Sequence, residues 1–241
     1  MIPEGLLLVH KPSGITSHDA VSVLRRKLSI RRIGHTGTLD PIAQGLLILL
    51  IGKATKHQHA LQAHDKTYEA TIRFGLKTDT GDAEGAPVQT AAVPPLEASC
   101  VADVLASLKG SMAQTPPAFS AVKVRGRPAY WWARRQQPVA LSSRTIQIFD
   151  LSLLRCEADT IAVRIDCSAG TYIRTLAETI AERLGTVGHV TQLTRLRIGR
   201  WTLDQAALLS WYADSSVEEI RPRILPIDAA LVKSDSCLRH A

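Results

Sequence analysis

The sequence predicts a mixed α/β chain, and three observations carry that reading. Some segments alternate apolar and polar residues with a period of two, others repeat apolar residues at helical spacing, and no unit recurs at a fixed interval along the 241 residues. Leu6-Leu7-Leu8-Val9 reads as a buried strand. Ala20, Val21, Val23, Leu24 and Leu28 then form a helical stripe behind the polar starters Thr16 and Ser17. Over residues 67–75, Tyr68, Ala70, Ile72 and Phe74 fall on one face and Thr67, Glu69, Thr71 and Arg73 on the other. That is a half-buried strand whose inward face starts at Tyr68.

Pro87, Pro94, Pro95, Pro116 and Pro117 punctuate a middle section in which residues 96–109 look helical. Ile161, Val163, Ile165 and Cys167 alternate with Ala162, Arg164, Asp166 and Ser168 up to Gly170. A helix follows, with Ile173, Leu176, Ala177, Ile180, Ala181 and Leu184 on its apolar stripe and Gly185 as its stop. Residues 189–203 resume a strand-like pattern, and a short helix is expected at about 204–210. Residues 116–145 combine prolines, six basic residues and the cluster Tyr130-Trp131-Trp132. That composition suits a mobile arm that touches RNA, or else a peripheral helix packed by its aromatics.

With 45% hydrophobic residues the chain can bury a full core, and one catalytic domain is the favoured organisation. The formal charge is +7, and residues 121–200 alone hold 13 Lys and Arg against 6 Asp and Glu. Positive charge concentrated in one third of a folded chain favours a polyanion, nucleic acid first and an anionic membrane second. The apolar runs fall well short of the roughly 18 residues of a spanning helix, and charge and proline interrupt the N-terminus, so a soluble cytoplasmic protein is expected. Cys100, Cys156, Cys167 and Cys237 form no Cys-x-x-Cys pair, and the eight histidines, His57 and His59 included, form no recognised ligand motif. No metal is expected.

The chemistry is placed in residues 34–45, Gly34-His35-Thr36-Gly37-Thr38-Leu39-Asp40-Pro41-Ile42-Ala43-Gln44-Gly45, which run into the apolar stretch Leu46 to Ile51. Gly34 and Gly37 allow close backbone approach, and Pro41 biases Asp40 toward extended geometry. A rigid polar loop beside a buried strand suits a reactive carboxylate. Just before it, Arg25, Arg26, Lys27, Arg31 and Arg32 put five basic residues and no acid in eight positions, which points to an anionic substrate. Arg174 falls in the first turn of a helix, where the dipole disfavours a cation, so it requires an anionic partner. Asp40 is the candidate, and an arginine beside it holds the carboxylate ionised and oriented.

The stretch Gly34 to Pro41 resembles the signature of the bacterial TruB family, the tRNA pseudouridine-55 synthases. The resemblance continues through Lys11-Pro12-Ser13-Gly14-Ile15-Thr16-Ser17, Lys66-Thr67-Tyr68, Thr78-Asp79-Thr80-Gly81-Asp82, Phe119-Ser120-Ala121-Val122-Lys123 and Gly170-Thr171-Tyr172-Ile173-Arg174-Thr175, and covers roughly residues 5–228. It implies an α+β pseudouridine synthase fold over residues 1–230, with a central mixed, largely antiparallel sheet, flanking helices and a thumb-like RNA-binding insertion at about 116–145. It implies Asp40 as nucleophile, paired with Arg174. Tyr68 would stack on the flipped uracil and assist proton removal, and His35 would fill the vacated T-loop position. Tyr172 and Leu193 would line the uracil pocket, and Lys11 would give supporting contact. His10 stands where the family usually has Asp, and Ala169 where a basic residue is common.

The implied reaction breaks the N1–C1′ bond of a uridine, turns the base, joins C5 to C1′ and removes the C5 proton. No redox change or group transfer is involved, so neither cofactor nor metal is expected. The tRNA T-arm is the expected partner, the chain is expected to be monomeric, and residues 231–241 are expected as a short tail in place of the C-terminal PUA domain of many relatives. Three other readings remain open: a non-catalytic RNA-binding or folding protein on the same scaffold, a uridine isomerase for another RNA, and a nucleoside glycosidase, for which no second acid with a comparable motif stands out.

Overall fold

The computed structural model of the protein describes residues 3–137 and 139–227. The expected tail at 231–241, with Cys237, lies outside the described residues. The chain opens with strand β1 (Gly5–Lys11), helix α1 (Ser17–Leu28), β2 (Ile33–His35) and β3 (Gln44–Ile51), then a 3-10 segment (Gly52–His57) leading into α2 (Gln58–Gln62). Next come β4 (Lys66–Phe74), β5 (Leu76–Thr78), β6 (Pro87–Thr90), α3 (Ala98–Ser107), β7 (Gly110–Gln114), β8 (Lys123–Val124), β9 (Arg127–Pro128) and α4 (Ala129–Ala133). The remainder is β10 (Arg144–Cys156), β11 (Thr160–Cys167), α5 (Ile173–Arg183), β12 (Gly188–Ile198), β13 (Trp201–Thr202), β14 (Ala207–Leu208), α6 (Leu209–Asp214) and α7 (Val217–Ile220).

These elements group into two units, Met1–Tyr68 with Leu193–Ala241, and Glu69–Gln192. Strands β4 and β12 run through both. The main sheet has the order β14-β1-β3-β12-β4-β11-β10-β7, with β2 on β3 and β13 on β12. The pairs β1–β14 and β3–β12 are parallel, whereas β1–β3, β2–β3, β7–β10, β10–β11 and β12–β13 are antiparallel. The sheet is thus mixed and largely antiparallel, the α+β pattern that the resemblance implies.

In the first unit, β1 and β3 pair in the register Leu6↔Leu50 and Leu8↔Ile48, and every β3 residue from Gly45 to Ile51 is buried. One face of this pair packs with Ala54, Leu61, Ile198 and Trp201. Each such leucine withdrawn from water contributes about 2 kcal/mol. Helix α1 starts where Thr16 sets up a reciprocal cap: its hydroxyl accepts the Asp19 amide at 3.1 Å and the Asp19 carboxylate accepts the Thr16 amide at 2.8 Å. The helix buries Ser17, Ala20, Val21, Leu24 and Leu28.

In the second unit, the predicted strands and helices over residues 69–74, 96–109, 161–167 and 173–184 all form. The segment 116–145 holds a small β8–β9 hairpin, turned at Arg125 and Gly126 with φ of 50° and 77°, followed by α4. Trp132 donates from Nε1 to the Val124 carbonyl at 3.1 Å, and the Arg135 guanidinium lies 3.7 Å from the centre of the Trp131 ring. Aromatic packing and exposed Lys123, Arg125, Arg127, Arg134 and Arg135 therefore occur in one segment.

Two expectations need correction, and one strand went unread. The helix expected at 204–210 is a 3-10 turn at Leu203–Gln205 followed by β14, which pairs Ala207 with Val9 and Leu208 with His10, and α6 begins only at Leu209. Pairing with β1 overrides the local helical spacing there. Thr67, assigned to the outward face of β4, is buried because Arg197 donates from Nε to its hydroxyl at 2.9 Å. The 13-residue β10 escaped detection because register shifts near Ile148 and Leu153 break its alternation.

Gly45 has φ of +106°, and a Cβ there would lie 2.4 Å from the carbonyl oxygen of Arg195, its partner on β12. Gly45→Ala should therefore cost about 2 kcal/mol or more in urea unfolding. An unchanged midpoint would show that the β3–β12 approach is not fixed as described.

Candidate active site

The loop carrying Asp40 is tied down from several sides within the first unit. The buried Ser17 hydroxyl accepts the Leu39 amide at 2.8 Å and donates to the Leu39 carbonyl at 3.0 Å. The Gly14 amide donates to the Pro41 carbonyl at 2.8 Å, and the Ala43 amide to the Asp40 carbonyl at 3.0 Å. Lys11 is fully buried, and its ammonium donates to the carbonyls of Pro12 at 2.8 Å, Ile15 at 2.7 Å and Pro41 at 3.5 Å. It joins the residues 12–15 loop to the Asp40 loop. Asp40 itself is half-buried, Tyr68 and Leu193 are buried on β4 and β12, and His35 is half-buried at the end of β2.

A residue that sequence reasoning missed anchors the same loop. Arg195, only 1% exposed, donates from Nε to the Leu46 carbonyl at 2.8 Å, from Nη2 to Gly37 at 3.1 Å and from Nη1 to Thr38 at 3.4 Å. No carboxylate pairs with it among the described residues. The available signal was its phase: two residues after Leu193 on β12, it shares that inward side. Of the basic run before the loop, Arg25 is spent on the Ile33 carbonyl at 2.7 Å and Arg32 on the Thr55 hydroxyl at 2.8 Å, while Arg26 and Arg31 are exposed.

His35 titrates below the ordinary histidine value of 6.5, chiefly through desolvation, then through repulsion by Arg195 and His18. The Gly37 amide points at its Nδ1 from 3.4 Å, which leaves the proton on Nε2 of the neutral ring. The site thus presents a neutral imidazole at pH 7.

Arg174 and Tyr172 belong to the second unit. Arg174, 5% exposed, sits in the first turn of α5, donates to the Thr80 carbonyl and, at 2.9 Å, to the Phe119 carbonyl, and faces Asp82 with Nε 3.8 Å from Oδ2. Three of the sequence motifs therefore meet at one guanidinium. Asp82 is itself fixed: its Oδ1 accepts the Thr80 hydroxyl at 2.6 Å and the Glu84 amide at 3.1 Å. The motif containing Asp82 was visible in the sequence, but its carboxylate could be recognised as Arg174's partner only from the fold. Tyr172 caps the start of α5, held by Gln114 through a hydrogen bond in each direction.

Residues 25–173 match the model of the TruB family pseudouridylate synthase N-terminal domain, and residues 174–232 that of the tRNA pseudouridylate synthase B C-terminal domain. The chain belongs to the TruB family. Proteins named tRNA pseudouridine synthase B are 45% identical in Aromatoleum aromaticum, over 95% of this chain and 74% of that protein, and 44% identical in Burkholderia pseudomallei, over 98% and 79%. Among solved structures, the Cbf5-Nop10-Gar1 complex contains a chain 27% identical with a TM-score of 0.68, matching 92% of this chain. The present chain spans 60% of that one. The archaeal box H/ACA sRNP Nop10-Cbf5 complex, 24% identical with a TM-score of 0.68, shares the fold. Within this TruB chain, no described cluster of three His, Cys, Asp or Glu residues could hold a metal ion, and no described helix is long and apolar enough to cross a membrane.

Two outcomes follow from this geometry. Asp82→Ala should cost about 3 kcal/mol in urea unfolding, because it removes the carboxylate of a buried ion pair. The His35 ring should titrate by NMR with a midpoint below 6.5. Since the unfolded chain then binds more protons, the His35 contribution to stability is complete above pH 6.5 and is lost as pH falls toward the folded value. A midpoint at or above 6.5 would contradict the burial and charge argument.

Proposed function

We propose that the chain is a tRNA pseudouridine synthase that isomerises the T-loop uridine at position 55, with Asp40 as the nucleophile. The observation that carries this reading is the Asp40 loop, held rigid by Ser17, Lys11 and Arg195 in a chain that matches tRNA pseudouridine synthase B relatives along nearly its whole length. Such relatives act, by name, on tRNA, and the concentrated positive charge of residues 121–200 suits that polyanion.

The target base is extruded from the folded RNA before reaction, as chemistry on a stacked base demands. His35, neutral and partly exposed, occupies the space it leaves. Tyr68 stacks on the flipped uracil, while Tyr172 and Leu193 line its pocket. Asp40, kept ionised and oriented by Arg174, assists departure of the base from C1′ and its return through C5, and Tyr68 is placed to help remove the C5 proton. Asp82 orients Arg174, and Lys11 acts by positioning the loop. The reaction uses no cofactor or metal, since atoms and electrons balance within the nucleotide. The exposed basic face of residues 116–145 serves as a thumb on the T-arm, and the enzyme works in the cytoplasm as a monomer without a protein partner.

Pseudouridine mapping on unmodified tRNA transcripts tests this reading. The pure protein, without cofactor or added metal, should convert the T-loop uridine, and Asp40→Asn should abolish the product while tRNA still binds. Tight binding without product from the unaltered protein would contradict it.

A further inference from the structure

The small hairpin in the second unit turns at an exposed arginine held in the left-handed backbone region. Strands β8 and β9 pair Lys123 with Pro128 and Val124 with Arg127, so Arg125 and Gly126 alone make the turn. Their φ values of 50° and 77° are those a two-residue turn needs to follow the twist of a hairpin. Glycine, asparagine and aspartate adopt this geometry readily, whereas a longer side chain there crowds its Cβ against the following carbonyl. Among the described residues, the other non-glycine residues at positive φ are Ser29 and Gln136. Each of those follows a helix, where a left-handed residue completes the C-terminal cap. Arg125 has no helix to end.

The hairpin stands on a fixed base. The Ala129 amide donates to the Val122 carbonyl at 2.7 Å, and the Tyr130 amide to the Ser120 carbonyl at 3.0 Å. Phe119, just before, gives its carbonyl to Arg174 at 2.9 Å. Trp132 holds the Val124 carbonyl next to the turn, and Trp131 carries the guanidinium carbons of Arg127 and Arg135 at 5.4 Å and 3.7 Å from its ring centre. Residues 116–145 hold six Arg and Lys and no Asp or Glu, and Lys123, Arg125, Arg127, Arg134 and Arg135 are all exposed. Backbone strain at an exposed, braced tip marks a side chain whose contact lies outside the chain. The charge around it makes that contact a polyanion. At the end of a two-stranded ribbon a guanidinium reaches past the ribbon's own backbone, which suits the phosphate-lined groove of a helical stem.

We propose that Arg125 is the leading contact of this segment: the hairpin sets its tip at a groove of a tRNA stem, and Arg125 binds backbone phosphates there. The inference rests on the tRNA-binding role given to residues 116–145 above. Phosphate contacts position an RNA without reading its sequence, so the tip governs how the stem is seated and not which bases are recognised.

The test compares the full chain with Arg125→Asn, Arg125→Lys and Arg155→Asn, measuring melting temperature, affinity for unmodified tRNA over a salt series, and pseudouridine yield. Arg125→Asn should melt about 2 °C higher, because asparagine relaxes the turn. It should nevertheless bind about fivefold more weakly near 0.1 M salt, with the slope of log affinity against log salt reduced by about one. Arg125→Lys should keep the slope and lose only part of the affinity, since an ammonium is a point charge without the bidentate fork. Arg155→Asn makes the same charge change at an exposed position on β10 and should leave the slope unchanged. A melting temperature lowered by Arg125→Asn, an unchanged slope in that variant, or an equal change of slope in Arg155→Asn would each overturn the proposal. Absence of pseudouridine from the unaltered chain, with the slopes as expected, would count against the proposed activity instead and leave the tip contact standing.

Discussion

A buried guanidinium, Arg195, with no carboxylate partner among the described residues, shapes the Asp40 loop of the first unit. Arg195 spends its donors on the carbonyls of Leu46, Gly37 and Thr38, so one side chain ties the start of β3 to the residues just before Asp40. Desolvating a cation costs several kcal/mol, and the cost is offset only when its donors are well used. Two loop carbonyls and one on β3 do this, and they convert a glycine-rich segment with much backbone freedom into one defined path. Gly45 completes the arrangement, because only a residue without Cβ lets β3 approach the Arg195 backbone so closely. Lys11 applies the same device on the other side of Asp40, bonding the Pro41 carbonyl from a fully buried position. The Asp40 loop is thus braced from both ends by cations that act on backbone.

The second unit repeats this logic around Arg174, whose acceptors are the Thr80 and Phe119 carbonyls and whose facing carboxylate is Asp82. A cation in the first turn of a helix opposes the helix dipole, and these acceptors compensate for it. Each unit therefore orients a charged group through bonds made before any substrate is present, which is what electrostatic preorganisation requires. The neutral His35 fits the same scheme: burial of the ring, and then the nearby Arg195, disfavour a second positive charge in the loop.

Much of this was legible in the sequence, and the limits have physical causes. Asp40 stood out because glycine and proline around a lone carboxylate announce a shaped loop, and the strands and helices with clean periodicity formed where expected. Arg195 was hidden because an arginine on a strand ordinarily faces water, and only the fold reveals that its phase points inward. Lys11 was visible as a motif residue, but its complete burial and its grip on Pro41 depend on a loop thirty positions away. The bulged β10 and the strand at 207–208 were unreadable because tertiary pairing, not local pattern, determines them.

If Asp40 serves an isomerisation in which the base leaves C1′ and returns through C5, a tRNA labelled with tritium at uridine C5 loses its label to solvent. About one tritium per tRNA should be released, with no free uracil, and Asp40→Asn should release neither. Free uracil released in step with substrate loss would contradict it and would identify the chain as a glycosidase.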